Sequence, residues 1–179
     1  MKGVSGIDYQ AMRALVALSN DQLGQTIWHF LKKQRTEQAQ LVSTPEEAVQ
    51  RMLSIDYNLI FLDFDFGKLG GVDFTKFVRL CDGAVSEAPI VMVMPNPSKE
   101  KVFACRDAGV NEIIGLPLSA KQVETRLGHI YNHPKPFVRC TTYIGPCRRR
   151  EQMQVYHGQE RRKNPQTVPQ PSSMTRAAG

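Results

Sequence analysis

The chain has 179 residues, of which 41% are hydrophobic and 22% are charged, and its formal net charge is +6. This length and composition are typical of one soluble globular domain with a sizeable core. No apolar stretch approaches the roughly 18 residues that span a bilayer. The N-terminus lacks the apolar segment of a secretory signal, so we expect a cytoplasmic protein without a membrane span.

Strands and helices are predicted to alternate five times along the chain. The predicted strands are short apolar runs, and the helices repeat apolar residues at helical spacing. The predicted strands span residues 13–18, 39–43, 57–62, 89–94 and 111–116. The predicted helices span residues 19–34, 44–53, 71–82, 98–109 and 119–133. Thr44 before Pro45 marks a helix start, and Ser19 or Asp21 can cap the first helix.

This alternation predicts an α/β fold on a parallel sheet. Strands separated by helices of about 10–15 residues imply right-handed crossovers. The run at 57–62 is apolar without alternation, which is typical of a strand buried on both faces. Asp63 follows this run directly. Because such sheets bind ligands at the carboxyl ends of their strands, Asp63 is a candidate functional residue. The alternative is a strand-end carboxylate that accepts hydrogen bonds from the next turn.

The positive charge lies in the C-terminal quarter of the chain. Residues 135–179 carry nine Lys/Arg and two Asp/Glu, whereas residues 1–134 carry 14 and 15. This segment is rich in Arg, Gln, Pro and Ser, and its end is poor in hydrophobic residues. We therefore predict a basic, mostly disordered tail.

Several segments resemble a bacterial response-regulator receiver domain over about residues 13–132. Asn58–Asp63 is similar to the family's third strand, which ends on its phospho-acceptor aspartate. The other similar segments are Gly70-Gly71, Pro89–Met94, Asp107–Val110 and Leu116–Leu118. The resemblance implies the flavodoxin-like (βα)5 fold, a doubly wound parallel sheet with strand order 2-1-3-4-5. It also implies signal transduction in a two-component or phosphorelay pathway of a bacterium.

The chain departs from the family at the positions that accompany the phospho-acceptor. The family has an acidic metal-binding pair after strand one, a Ser/Thr ending strand four, an aromatic residue on strand five and a lysine before the next proline. The residues at these positions are, in that order, Leu18 with Ser19, Met94, Ile113 and Leu116. Without acidic ligands, a cation or a hydroxyl, phosphorylation of Asp63 is expected to be impaired or absent. The resemblance thus points to a degenerate receiver, or pseudo-receiver.

Magnesium binding is expected to be weak, and no other cofactor is implied. The remaining oxygen ligands are Asp63 and the backbone carbonyl at Asp65, with Asp21 at the edge of the site. A working phospho-acceptor with an unusual metal site is one alternative function.

The tail contains a degenerate repeat of tyrosine, glycine and basic residues, and it resembles extensions on some bacterial single-domain receivers. The candidate docking residues are Tyr143, Arg148, Arg149, Arg150, Tyr156, Arg161 and Arg162. A repeated aromatic favours docking to a protein or anionic partner over charge alone. Binding of nucleic acid or an anionic surface through the arginines is the other alternative function. Specific DNA reading is not expected, since no groove-reading element follows the receiver.

The predicted organisation is an N-terminal extension (1–12), a receiver-like domain (13–134) and the tail (135–179). The predicted function is signalling through protein–protein interaction, without enzymatic activity. In the family, phosphorylation alters the face made by helix four, strand five and helix five. Here that face is residues 97–132, where we expect a kinase, a phosphotransfer protein or a downstream target to bind.

Overall fold

The computed structural model describes residues 7–149, which form a five-stranded sheet, five α-helices and a C-terminal hairpin. The sheet strands are β1 (Arg13–Ala17), β2 (Gln38–Val42), β3 (Leu59–Asp63), β4 (Ile90–Met94) and β5 (Glu112–Gly115). The helices are α1 (Asp21–Lys33), α2 (Pro45–Ser54), α3 (Gly71–Leu80), α4 (Lys99–Ala108) and α5 (Ala120–Asn132), with a 3-10 turn at Ala84–Glu87. The hairpin strands are β6 (Phe137–Cys140) and β7 (Tyr143–Pro146).

The five strands of the sheet pair in parallel, in the order β2-β1-β3-β4-β5. This order confirms the predicted flavodoxin-like fold. The strand order reverses between β1 and β3, and ligands of such sheets bind where the order reverses, outside the carboxyl ends of the strands. Asp63 is the last residue of β3 and pairs in register with Val93 of β4. The fold therefore places Asp63 at the position where this architecture holds its ligands.

Side chains of β3 enter two hydrophobic cores, one on each face of the sheet. Ile60 and Leu62 belong to the core formed with α2, α3 and α4, whereas Leu59 and Phe61 belong to the core formed with α1 and α5. All four are fully buried. Truncating one of them to alanine is expected to cost about 2–5 kcal/mol, so β3 is a rigid support for Asp63.

The residues before β1 also contribute to the core. Met12 is 2% exposed, and Ile7 and Tyr9 pack against the cluster formed with α1 and α5.

No helix among residues 7–149 is long and apolar enough to cross a membrane.

Side-chain caps fix the starts of α1, α2, α4 and α5. Thr44 accepts a hydrogen bond from the backbone N–H of Glu47 at 3.3 Å, as its sequence context predicts. The first helix is capped instead by Asn20, whose side chain accepts from the Leu23 N–H at 3.1 Å. The prediction of Ser19 or Asp21 as this cap is wrong, because Asp21 is already the first helical residue. Within α1, Trp28 donates its indole N–H to the Ala39 carbonyl at 3.0 Å, which ties α1 to β2.

Residues 137–146 form an antiparallel hairpin that packs against α3 and α4. The prediction of disorder is therefore wrong for this part of the tail. Tyr143 is buried, and its hydroxyl donates to the Pro146 carbonyl at 2.7 Å. Gly145 allows close approach to the end of α4, since a Cβ there would lie 2.8 Å from the Gly109 Cα. The compact unit thus extends to Arg148.

Candidate functional site

The candidate site lies where the carboxyl ends of β1, β3 and β4 meet. Asp63 is half-buried there. Its Oδ2 accepts a hydrogen bond from the Ser19 N–H at 3.2 Å, and its Oδ1 accepts one from the Asp65 N–H at 3.4 Å. Both donors are backbone groups of the loops that follow β1 and β3. The carboxylate is therefore held by the main chain of two adjacent loops.

Burial raises the pKa of Asp63 above its ordinary value. The backbone N–H groups of Asp65, Ser19 and Phe64 act in the opposite direction, because they stabilise the charged form. The neighbouring carboxylate of Asp65 raises the pKa further. Among residues 7–149, no ion pair or hydrogen bond joins Asp63 to a lysine or arginine. The environment of Asp63 thus disfavours added negative charge.

The positions of the family's acidic pair do not supply metal ligands. Leu18 is fully buried in the core, and its N–H donates to the Val42 carbonyl at 3.1 Å. The Ser19 hydroxyl donates to the Asp65 carbonyl at 3.3 Å, and this carbonyl is the backbone oxygen that the sequence analysis assigned to magnesium. Asp21 is exposed at the start of α1.

A magnesium ion does not fit the donor set around Asp63. Within the described part of the chain, no three His, Cys, Asp or Glu side chains come together as metal ligands. The predicted trio of Asp21, Asp63 and Asp65 is therefore not assembled as a cage. Magnesium requires near-octahedral oxygen coordination, and a leucine and a hydrogen-bonded serine replace the acidic pair.

The remaining family positions are apolar at this end of the sheet. Met94 is fully buried at the end of β4, and Leu116 donates its N–H to the Met94 carbonyl at 3.2 Å. The Leu116 side chain is 37% exposed, and Ile113 packs against the core beside α4. These side chains can neither stabilise a phosphoryl oxygen nor donate a hydrogen bond to one.

One cation near the site was not found by sequence reasoning. The Lys101 ammonium of α4 lies 5.0 Å from the ring centroid of Phe64, the residue that follows Asp63. A lysine at the third position of a helix carries no signal of such a contact, because the contact depends on how α4 packs across the sheet. The Lys101 ammonium therefore makes a cation–π contact with the Phe64 ring and does not pair with the Asp63 carboxylate.

The predicted tail-docking residues divide into those that pack inside the domain and those outside the described residues. Tyr143 is 8% exposed, so it is not a free anchor for a partner, which corrects its assignment as one. The Arg148 guanidinium lies 4.1 Å from the Tyr143 ring centroid and bonds to Asp107 at 2.9 Å. Arg149 is the last described residue and is exposed. Arg150, Tyr156, Arg161 and Arg162 lie outside the described residues.

The predicted binding face, residues 97–132, contains a groove between α4 and α5. Its volume is about 410 Å³, and Val102, Arg106, Glu112 and Arg126 are among its lining residues. Lys135 also lines it, so the segment before the hairpin contributes to this face.

Comparisons with known proteins show which proteins this domain resembles. No family model matches the chain. The chain is 25% identical over 118 residues to the sensory/regulatory protein RpfC of Xanthomonas campestris, covering 65% of this chain and 16% of RpfC. It is 25% identical over 76 residues to the chemotaxis protein CheY-3 of Vibrio cholerae, covering 42% of this chain and 58% of CheY-3. The chain thus spans less than two thirds of these curated relatives.

Solved structures of response regulators share the fold of this domain. The chemotaxis protein CheY4 of Vibrio cholerae aligns with a TM-score of 0.62 and 18% identity, covering 67% of this chain and 98% of CheY4. The sheet order, the position of Asp63 and these likenesses together show that the chain contains a domain with the fold of response-regulator receivers.

Proposed function

We propose that this protein transmits a signal in a two-component or phosphorelay pathway by protein–protein interaction, as a pseudo-receiver whose Asp63 is not phosphorylated in the ordinary way. One observation carries the proposal. The Asp63 carboxylate accepts from two backbone N–H groups beside Asp65, and Leu18 and Ser19 stand where a phospho-acceptor needs acidic metal ligands. The proposed setting is the cytoplasm of a bacterium.

Electrostatics support this proposal. A phosphoryl group brings about two negative charges at neutral pH. At Asp63 those charges would be added beside the Asp65 carboxylate, in a site whose burial already raises the pKa of Asp63. Cations, through a bound metal or a lysine, are what stabilise a transferring phosphoryl group. Among residues 7–149, no lysine or arginine bonds to Asp63, and the nearby Lys101 ammonium lies over the Phe64 ring, so transfer to Asp63 is disfavoured.

The switch that would respond to a phosphate is missing as well. Met94 and Ile113 stand where the family has a hydroxyl and an aromatic residue, and Met94 is fully buried. A ligand shifts a conformational equilibrium only by its difference in affinity for the two states. A phosphate without differential contacts shifts nothing, so we propose one constitutive conformation, read by a non-covalent partner at residues 97–132.

The decisive test is the intact mass of the protein after incubation with acetyl phosphate and Mg²⁺. We expect no added phosphoryl group in wild type or in Asp63→Ala. A gain of one phosphoryl group in wild type but not in Asp63→Ala would overturn the pseudo-receiver and favour a working acceptor with an unusual metal site.

A restoration variant provides the matched positive control. Ser19→Asp combined with Leu116→Lys returns one acidic ligand and the cation at exposed positions of the site. We expect this double variant to gain a phosphoryl group that Asp63→Ala removes, since it supplies the missing charges. If the double variant gains no phosphoryl group although its circular dichroism spectrum is native, the explanation by charge is contradicted.

A further inference from the structure

We propose that the open edge of β5 is a docking site for an extended, acidic segment of a partner protein, which joins the sheet as a sixth strand. This inference rests on the proposed function, since it specifies the partner chemistry of the face formed by residues 97–132.

The backbone of β5 offers an unused pairing edge. β5 is the last strand of the sheet, and among residues 7–149 it pairs with β4 alone. The Asn111 N–H donates to the Ile90 carbonyl at 2.9 Å, toward β4. Because successive residues of a strand direct their backbone groups to opposite sides, Glu112 and Ile114 present theirs to the open side. Such an edge is a template for another strand.

The groove beside this edge has room for a strand. It runs between α4 and α5 and has a volume of about 410 Å³. Pro97 and Val102 supply apolar surface beside β5. The groove can therefore accept a peptide main chain together with small apolar side chains.

The charges of the groove select an acidic occupant. Its lining includes three cations, Arg106, Arg126 and Lys135, and one acid, Glu112. Glu112 is already paired with Arg126 at 3.2 Å, and Arg106 bonds to Asp107 at 3.0 Å. Lys135 is exposed at the rim. Exposed ion pairs contribute at most about 1 kcal/mol each, so main-chain pairing supplies the geometry and the charges discriminate between partners.

The test uses the full chain labelled with ¹⁵N and a capped hexapeptide of alternating glutamate and valine, followed by amide chemical shifts. We expect saturable shifts at Glu112 and Ile114. A second peptide carries N-methyl groups on the edge that would face β5, which removes its hydrogen-bond donors without changing its charge. We expect this peptide to bind at least about tenfold more weakly, a loss of roughly 1.4 kcal/mol.

Charge reversal in the protein tests the selection of acidic partners. Lys135→Glu is expected to weaken binding about fivefold, the equivalent of roughly 1 kcal/mol. Lys121→Glu is the matched control, because Lys121 is an exposed lysine of α5 outside the groove lining. We expect this control to bind within about twofold of wild type.

Three results would overturn the site. They are equal binding of the N-methylated peptide, shifts confined to other regions, and no binding at about 1 mM peptide, the limit of a useful interaction. The first would mean charge attraction without strand pairing. The outcomes also separate the two proposals. If Asp63 is not phosphorylated and the peptide does not bind, only the docking site is contradicted. If Asp63 is phosphorylated and the peptide binds, only the pseudo-receiver is contradicted.

Discussion

Two donors of Arg79 bind a single acceptor, the carbonyl oxygen of Gly109, through Nε at 3.1 Å and Nη2 at 2.8 Å. The same guanidinium donates to the carbonyls of Ser86 and Ala88 at 2.7 and 2.8 Å, and to the Asn111 side chain at 3.0 Å. Five hydrogen bonds thus use all five donors of a side chain that is 1% exposed. This buried arginine joins the ends of α3 and α4 to the starts of β4 and β5.

Replacing Arg79 with methionine is expected to lower the free energy of unfolding by about 2–4 kcal/mol. The substitution leaves the buried carbonyls of Ser86 and Ala88 without their Arg79 donor, and each unsatisfied group costs about 1–3 kcal/mol. Relief of the arginine's own desolvation offsets part of this cost. Urea denaturation measures the change, with Lys76→Met on the exposed side of α3 as the control. Equal stability of the two variants would contradict the role of Arg79.

Replacing Gly109 with alanine is expected to displace the hairpin. Gly109 has φ +100°, and a Cβ there would lie 2.7 Å from the Ile144 carbonyl oxygen and 3.1 Å from the Arg79 Nε. Gly83 is the matched control, since it has φ +84° and nothing within 4 Å of a Cβ. Gly83, with ψ −172°, is in a backbone region that only glycine adopts readily, so Gly83→Ala bears only the backbone strain, about 1–3 kcal/mol.

Hydrogen exchange distinguishes the two glycine variants. Gly109→Ala is expected to lose protection at the amides of β6 and β7, whereas Gly83→Ala keeps it. If protection of the hairpin is equal in both, the contact between Gly109 and β7 does not hold the hairpin in place.

Replacing Asp63 with asparagine is expected to raise the Tm at pH 7 by a small amount, because solvent partly screens this half-buried carboxylate. Because the folded pKa of Asp63 is raised, its protonated form favours folding. That contribution is complete below the unfolded pKa and is lost as the pH rises through the folded pKa.

The gain from Asp63→Asn should therefore be present at pH 7 and vanish near pH 3, in thermal unfolding scans over this range. A lower Tm of the variant at pH 7 would show that the backbone N–H groups around Asp63 stabilise its charge more than burial opposes it.

The cysteines are expected to differ in their rates of alkylation. The backbone N–H and hydroxyl of Thr142 lower the pKa of the exposed Cys140 thiol, with a smaller contribution from Arg148. Burial raises the pKa of Cys105 to about 11. Iodoacetamide at pH 7, followed by peptide mass mapping, should modify Cys140 first and Cys105 only after unfolding, because the thiolate is the nucleophile. Modification of Cys105 in the native protein at a rate similar to that of Cys140 would contradict this order.

The elements that the sequence predicts correctly are those whose signals lie within a few neighbouring residues. The two-sided apolar run of β3 and the Thr44-Pro45 start of α2 require no knowledge of the rest of the fold. The cap of α1 was missed because Ser19, Asn20 and Asp21 are all good caps, and only tertiary packing determines which residue begins the helix.

The hairpin and Arg79 were missed for a different reason. The hairpin lies in a segment whose composition predicts disorder, and its stability comes from non-local contacts. Examples are Tyr143 packed under Arg148 and Gly145 beside Gly109. Arg79 sits among apolar positions of α3, yet a charged residue near a helix end is normally exposed. At the candidate site, the family resemblance predicts which positions accompany Asp63. The Ser19 hydrogen bond to Asp65 depends on loop geometry that composition does not encode.

The indole of Trp28, bonded to the Ala39 carbonyl, gives the chain a built-in optical probe. It is the single tryptophan of the sequence, and it reports on the packing of α1 against β2, on the opposite side of the sheet from the hairpin. Fluorescence will therefore remain native while the hairpin opens locally and will change only when the body unfolds. Comparing it with hydrogen exchange at β6 and β7 separates fraying of the C-terminal hairpin from global unfolding without an added label.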